Sequence, residues 1–260
     1  MRVALLMGSF NPVHNGHLSI AEYVLDKGLA DQVWLVVSPQ NPLKSSEELA
    51  PTEDRLKMVK LAVEGHNNII TCDIELSLPQ PSYTINTIHK LKERYSYYDF
   101  TILAGSDIAD TLDRWYKIDE LRELVGFMIY PRSGTEATVS PEMTGAPRIE
   151  ISSTSIREDL TKGIYRPTEL PAAVHDHICA NHLYNCRTIS RYSLLIDSEP
   201  ENYELYLERG QIYFRLNEFS LAINDFNKAY KLNPSCVEAR ELSSMADMIV
   251  NYSYTEIYNP

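Results

Sequence analysis

The feature that most constrains the fold is a polar turn near the start of the chain. It covers residues 8–18 and reads GSFNPVHNGHL. Residues 3–7 before it are all apolar, which predicts a buried strand, and apolar residues recur at helical intervals from Leu18 to Leu25. Gly8 permits a close approach of the backbone, and Asn15 is the predicted N-cap of the helix. The free amides at the start of this helix would then form an anion site.

Strands and helices continue to alternate through the first two thirds of the chain. Further strands are predicted at residues 32–37, 68–73, 99–103, 123–130 and 148–151, and helices from residue 52, at 83–95 and at about 171–184. This order predicts the α/β class, with a Rossmann-like, doubly wound parallel sheet. Because crossovers between parallel strands are right-handed, the loops that follow the strands should meet at one edge of the sheet.

The composition limits the classes of function. The chain has 260 residues and a formal net charge of −12, so we expect neither nucleic acid nor a membrane as a partner. No apolar run reaches membrane-spanning length, and the N-terminus lacks the apolar core of a signal peptide. The four cysteines show no C-x-x-C spacing, which favours free thiols in a reducing compartment. We therefore expect a cytoplasmic protein.

The chain changes character after Cys186, because no strand-like run follows. Residues 203–234 match the consensus spacing of a tetratricopeptide repeat at Tyr206, Gly210, Tyr213, Ala222, Phe226, Ala229 and Pro234. Arg209 stands where the repeat usually has an apolar residue. We therefore predict two domains, residues 1–185 and an all-helical, tetratricopeptide-like segment at 186–260. A single repeat buries little apolar surface, so it should pack on the first domain, on a second copy in a homo-oligomer, or on a protein partner.

The polar turn contains the arrangement H-x-G-H, formed by His14 and His17. The whole turn resembles the signature of the nucleotidyltransferase superfamily, in which the paired histidines contact a nucleoside triphosphate and stabilise charge at the attacked α-phosphorus. The alternative is that both histidines only cap or pack at the start of a helix. The position of the motif directly after the first strand favours the first interpretation.

Further segments make the resemblance closer. Residues 1–185 resemble the bacterial nicotinate mononucleotide adenylyltransferases, which join ATP and nicotinate mononucleotide to give nicotinate adenine dinucleotide and pyrophosphate. The matching segments are the polar turn, the loop at 39–44, SYT at 82–84, GSD at 105–107, RWY at 114–116 and ISSTSIR at 151–157. Transferases of the pantetheine-phosphate and choline-phosphate types share H-x-G-H and remain alternatives. An interaction protein whose α/β domain only binds nucleotide is a third.

The resemblance also implies the residues of the site. It gives catalytic roles to His14, His17, Lys44 and Arg157. It implies that ATP contacts Gly8, Ser9, Phe10, His14, His17, Gly105, Asp107, Ser153, Thr154, Ser155, Ile156 and Arg157. It implies that nicotinate mononucleotide contacts Asn11, Lys44, Thr84, Asp107, Trp115, Tyr116 and Arg132. The phosphate of the mononucleotide would attack the α-phosphorus in line, and Mg²⁺ would be held mainly by the phosphates of ATP and by water.

A dedicated metal site is not predicted. His175, His177 and His182 lie on one predicted helix, but only the first and the last share a face. We find no cysteine or carboxylate in the sequence pattern that would complete a ligand set.

Overall fold

In the computed structural model, the described residues are 1–39, 49–109, 111–133, 138–186 and 189–257. They form two compact units, Met1–Glu158 with Tyr165–Ala180, and Asp159–Ile164 with Asn181–Pro260. The predicted boundary after residue 185 falls inside the second unit and stays a prediction. No helix among the described residues combines the length and the apolar character that a membrane crossing requires.

The first unit is built on a parallel sheet of five strands, in the order β3-β2-β1-β4-β5. The strands are β1 (Arg2–Gly8), β2 (Gln32–Val37), β3 (Ile69–Cys72), β4 (Asp99–Gly105) and β5 (Gly126–Tyr130). The predicted fold class is therefore confirmed. The sixth predicted strand, at residues 148–151, is wrong: the structure has only an isolated parallel bridge there, between Ile149 and Arg132.

Helices alternate with these strands. They are α1 (Asn15–Asp26), α2 (Thr52–Ala62), α3 (Thr84–Arg94), α4 (Ser106–Ala109), α5 (Ile118–Leu124), α6 (Ser153–Thr161) and α7 (Ala172–Ala180), with short 3-10 turns at Ile74–Ser77, Leu112–Arg114, Pro141–Met143 and Leu183–Asn185. Residues 3–6 of β1 and 33–37 of β2 are buried without alternation. Continuous burial is expected where helices cover both faces of a parallel sheet.

Parallel order places the ends of all five strands at one edge of the sheet. Gly8 at the end of β1 lies in register with Val37 at the end of β2, and Gly105 at the end of β4 lies in register with Tyr130 at the end of β5. Open α/β sheets bind ligands at this carboxyl edge, so it is where the predicted site residues should meet.

The second unit consists of helices that pack on their neighbours in the chain. They are α8 (Ile189–Ser198), α9 (Tyr203–Arg215), α10 (Phe219–Leu232) and α11 (Val237–Ile257). Gly210 of α9 faces the ring of Phe226 on α10, where an added Cβ would lie 2.7 Å from the ring. Ala222 and Ala229 are fully buried beside Phe226 on α10. The small and aromatic consensus positions therefore interlock between the two helices of the repeat.

Arg209 has a polar partner within this unit. Its guanidinium donates two hydrogen bonds to the carboxylate of Asp225, at 2.7 and 2.8 Å, and a third to Ser193 Oγ at 2.9 Å. The hydrogen bonds that it donates to Asp225 raise the pKa of Arg209. Arg209 therefore joins α8, α9 and α10 through a paired charge where the repeat usually has an apolar contact.

Candidate active site

The histidine pair occupies the start of α1. His14, not the predicted Asn15, is the N-cap residue, and its backbone N–H donates to Nδ1 of His17 at 3.2 Å. The two rings stack, with their centroids 3.7 Å apart. Because Nδ1 of His17 accepts a hydrogen bond, the neutral ring carries its hydrogen on Nε2. His17 can therefore act as a donor through Nε2.

Both imidazoles are held neutral. Burial, followed by the positive charge of Arg132, lowers the pKa of His14 to about 3. Burial also lowers the pKa of His17 well below its usual value, with smaller contributions from His14 and Arg132. The Nδ1 atom of His14 is buried and has no hydrogen-bond partner among the described residues. The pair thus offers neutral imidazoles to a ligand rather than two fixed positive charges.

Gly16 is required by the close packing around this pair. A Cβ at this position would lie 2.8 Å from Cγ2 of Ile149 and 3.0 Å from the ring of His14. Phe10 also packs against the pair, because its ring meets the ring of His17 edge-on with centroids 5.0 Å apart. The glycine of H-x-G-H therefore allows His14 to stack on His17.

The start of α1 offers fewer amides to an anion than the sequence predicted. The N–H of Asn15 donates to the carbonyl of Glu169 at 2.8 Å, and the N–H of His17 donates to the carbonyl of His14 at 2.9 Å. The side chain of Asn15 also donates to the carbonyl of Pro167. Side-chain donors therefore have a larger share in any phosphate site here than the helix amides do.

The start of α6 lies against the polar turn. Arg157 Nη1 donates to the carbonyl of Asn11 at 2.8 Å, and Ser153 Oγ donates to the carbonyl of Pro12 at 2.9 Å. These contacts show that the polar turn and the start of α6, which are distant in sequence, meet in the fold.

The first amides of α6 have partners within the chain. The N–H of Ser155 donates to Ser152 Oγ at 3.0 Å, and that of Ile156 donates to the carbonyl of Ser152 at 3.1 Å. Thr154 lies in the same first turn of α6. The side chains of this turn are therefore more available to a triphosphate than these two amides are.

A second group forms at the ends of β4 and β5. Arg132 lies 3.7 Å from the carboxylate of Asp107, and its N–H donates to Ser106 Oγ at 2.9 Å. An added Cβ on Gly105 would lie 2.7 Å from Cδ of Arg132 and would also meet the carboxylate of Asp107. Gly105 therefore leaves the space in which Asp107 and Arg132 pair.

Aromatic side chains form a third group near the start of α3. The rings of Tyr83 and Tyr116 lie 4.7 Å apart, and both side chains are exposed. Trp115 instead packs partly against the core of the first unit, and Thr84 is the first residue of α3. The two aromatic residues that were predicted to contact the mononucleotide therefore have different partners: Tyr116 packs on Tyr83, whereas Trp115 contributes to the core.

Comparison with known proteins agrees with this geometry. Residues 5–159 match the family model for cytidylyltransferase-like proteins, and residues 203–236 match the model for the tetratricopeptide repeat. A protein of Flavobacterium johnsoniae named probable nicotinate-nucleotide adenylyltransferase is 38% identical over 191 residues, which cover 71% of this chain and 99% of the relative. The chain belongs to the nicotinate-nucleotide adenylyltransferase family.

Other relatives and a solved structure agree. The protein of the same name from Bacteroides thetaiotaomicron is 42% identical over 165 residues, which cover 62% of this chain and 82% of the relative. The structure of nicotinic acid mononucleotide adenylyltransferase from Plasmodium falciparum, complexed with NaAD, matches 72% of this chain and 98% of that chain with a TM-score of 0.59. At 20% identity, that structural similarity supports the fold of this chain and nothing further.

Two buried charged residues were not predicted as part of the site. Glu75 accepts a hydrogen bond from Thr87 Oγ1 at 2.8 Å and interacts with the hydroxyl of Ser38. Burial raises its pKa. Glu75 therefore links the end of β2 to α3, a connection that no short sequence motif indicates.

The other is Arg55, which is fully buried on α2. The sequence carried a signal for it, because Arg55 shares the helical face of Met58, Val59 and Ala62, all of which are buried. A charged residue on an apolar stripe needs several hydrogen-bond partners.

Two other predictions need comment. Lys44 lies outside the described residues. The sequence pattern also indicated no cysteine beside His175. In the structure, however, Cys179 Sγ lies 3.4 Å from Nε2 of that ring. His177 instead pairs with Asp54 at 3.0 Å.

Proposed function

We propose that this chain transfers the adenylyl group of ATP to nicotinate mononucleotide, giving nicotinate adenine dinucleotide and pyrophosphate. The observation that carries the proposal is the placement of His14 and His17 beside the contact between Arg157 and Asn11, at the carboxyl edge of the sheet. Family membership supports the same reaction, since the relatives described above are named for it.

The proposed step is a direct in-line displacement. A phosphate oxygen of the mononucleotide forms a bond to the α-phosphorus of ATP, and the bond from that phosphorus to the oxygen bridging to the β-phosphorus breaks. Pyrophosphate leaves with the bonding electrons. Such transfers depend on positioning and charge stabilisation and need no nucleophile from the protein.

The donors described above suit this step. Nε2 of His17 can donate to a phosphate oxygen without a proton being lost or gained, because the ring is already in the required tautomer. The guanidinium groups of Arg157 and Arg132 offer planar pairs of N–H donors, which match phosphate geometry. We expect Lys44 to add a further positive charge.

The donor set also bears on the metal ion. His17, Arg157 and Ser153 donate hydrogen bonds, whereas Mg²⁺ prefers oxygen ligands such as the carboxylate of Asp107, which here lies 3.7 Å from Arg132. We therefore propose that Mg²⁺ would be held mainly by the phosphates of ATP and by water, where it neutralises phosphate charge.

An assay of pyrophosphate release tests the proposal. ATP is offered with nicotinate mononucleotide, nicotinamide mononucleotide or pantetheine phosphate, and CTP is offered with choline phosphate. We expect the highest kcat/KM with ATP and nicotinate mononucleotide. Comparable turnover with another pair, or no turnover with this one, would contradict the proposal.

The variant His17→Ala tests the role of the motif in the same assay. Loss of one donor to the transition state typically lowers kcat by about a hundredfold or more. A change below about fivefold would remove His17 from the mechanism.

Two further expectations remain proposals. We infer a cytoplasmic location, with which the free thiols of all four cysteines are compatible. The partner of the repeat at 203–236, whether this chain's own first unit, a second copy or another protein, also stays a prediction.

A further inference from the structure

Arg55 is a fully buried arginine whose guanidinium donates in several directions at once. Its side chain has 0% exposure. Among the residues that the structure describes, four backbone carbonyls and one hydroxyl accept its hydrogen bonds. They are the carbonyls of Ala50 at 3.0 Å, Ser9 at 2.7 Å, Ser38 at 2.6 Å and Pro39 at 2.5 Å, and Thr52 Oγ1 at 3.0 Å. A planar group with five N–H donors is the only side chain with the geometry for this set.

The acceptors belong to separate parts of the carboxyl edge. Ser9 lies in the polar turn that leads to His14 and His17, whereas Ser38 and Pro39 directly follow β2. One nitrogen, Nη1, donates to both Ser9 and Ser38. A single rigid group therefore fixes the distance between the polar turn and the segment that follows β2.

The same turn is held from a second direction. The side-chain oxygen of Asn11 accepts a hydrogen bond from the N–H of Ala50 at 3.0 Å. The backbone carbonyl of Asn11 accepts a second one from Arg157 at 2.8 Å. The carbonyl oxygen of Ala50 in turn accepts a hydrogen bond from Nε of Arg55. Continuous hydrogen bonds thus run from Arg55 through Ala50 and Asn11 to Arg157, which belongs to the site.

We propose that Arg55 is a positioning residue for adenylyl transfer, which sets the polar turn and its histidines in the geometry that ATP requires. The inference rests on the proposed function and adds a residue that touches no substrate. A displacement of about 1 Å in a catalytic group can lower the rate by about a hundredfold, so small movements of this turn should be visible in kinetics.

The test compares Arg55→Lys and Arg55→Met with the wild-type protein. Lysine keeps the charge but has three donors at one point, and methionine keeps only the apolar stem. We expect kcat to fall by about tenfold in the lysine variant and about a hundredfold in the methionine variant, and ATP to bind more weakly in both. ATP binding is measured by isothermal titration calorimetry without any acceptor.

A control separates positioning from general loss of stability. Leu91 is fully buried in α3, and Leu91→Ala should lower Tm without contacting the polar turn. All proteins are assayed well below their Tm. If Leu91→Ala loses as much activity as an Arg55 variant of equal Tm, or if Arg55→Lys keeps kcat and the Kd for ATP within about twofold of wild type, the role of Arg55 is refuted.

A milder pair of variants covers the case in which Arg55 variants do not fold. Thr52→Val removes one acceptor and leaves Arg55 in place, whereas Thr52→Ser retains the hydroxyl. ATP should bind more weakly to the valine variant, by up to about fivefold, the limit reached if the whole of one hydrogen bond of about 1 kcal/mol is felt in binding. Equal Kd values for both variants would overturn the inference.

The outcomes distinguish the two proposals. If the wild-type protein forms no product from ATP and nicotinate mononucleotide, the proposed function fails, and the Kd for ATP alone then decides the role of Arg55. If the wild-type protein is active but the Arg55 variants match it in kcat and Kd, only the positioning role fails.

Discussion

The neutrality of the histidine pair gives a prediction that can be worked out in numbers. The displacement of the pKa of His14 from 6.5 to about 3 corresponds to about 5 kcal/mol in favour of the neutral ring. Between these two values the unfolded chain binds more protons than the folded chain. The contribution of His14 to stability is therefore fully present above pH 6.5 and is lost as the pH falls toward 3.

The expected size follows from proton linkage. Lowering the pH from about 8 to about 5 should remove about 2 kcal/mol of stability through His14 alone. The pKa of His17 is lowered in the same direction, so its contribution has the same sign. The variant His14→Gln lacks one titrating ring and should lose correspondingly less stability over the same range.

The direct assay is nitrogen-15 NMR of the imidazole rings, assigned with the variants His14→Gln and His17→Gln. We expect the ring shifts of both residues to stay constant from about pH 8 to about pH 5, with His17 in the Nε2–H tautomer. Free imidazole in the same sample reports an unburied ring. Titration of either residue with a midpoint above about 6 would refute the argument from burial and from Arg132.

Three further predictions concern other parts of the chain. Tyr116→Ala, which removes an exposed ring, should chiefly raise KM for the mononucleotide, and a steady-state effect confined to ATP would show that Tyr116 does not contact the mononucleotide. Gly105→Ala should force Arg132 away from Asp107 and lower kcat/KM for ATP by about tenfold. An unchanged value would show that Arg132 and Asp107 can shift without cost to activity. Arg209→Met should lower the free energy of unfolding of the full chain by about 2 kcal/mol or more, because it leaves Asp225 buried and unpaired. Denaturant unfolding should show recovery when Asp225→Leu is added, and no difference between single and double variants would argue against the pair.

Periodicity was sufficient to predict most of the fold. The apolar runs of β1 and β2 are buried on both faces, so the sequence pattern has few other solutions. Residues 148–151 also alternate like a strand, yet only Ile149 forms a β-bridge, and its partner Arg132 lies beyond the end of β5. The side chain of Ile149 packs at Gly16, where an added Cβ would lie 2.8 Å from its Cγ2. A local pattern does not indicate whether a neighbouring strand is available.

The site was predicted less completely for a physical reason. The motifs predict which side chains meet a substrate, and the contact between Arg157 and Asn11 shows only that two of these motifs lie together. The partners of Arg55 are mostly backbone carbonyls, which every residue has, so no residue type marks them. Likewise, Arg209 was noted as unusual, but its partner Asp225 lies on the next helix and has no consensus position.

The first amide of α1 donates to the carbonyl of Glu169, and this contact limits how far the chain can be shortened. Residues 165–180 belong to the first unit, and His177 anchors them to Asp54 of α2. The matched family model ends at residue 159, before these contacts. A polypeptide trimmed to that limit would expose the N-terminus of the helix that bears His17. The smallest fragment that retains a native helix start must therefore extend through residue 180.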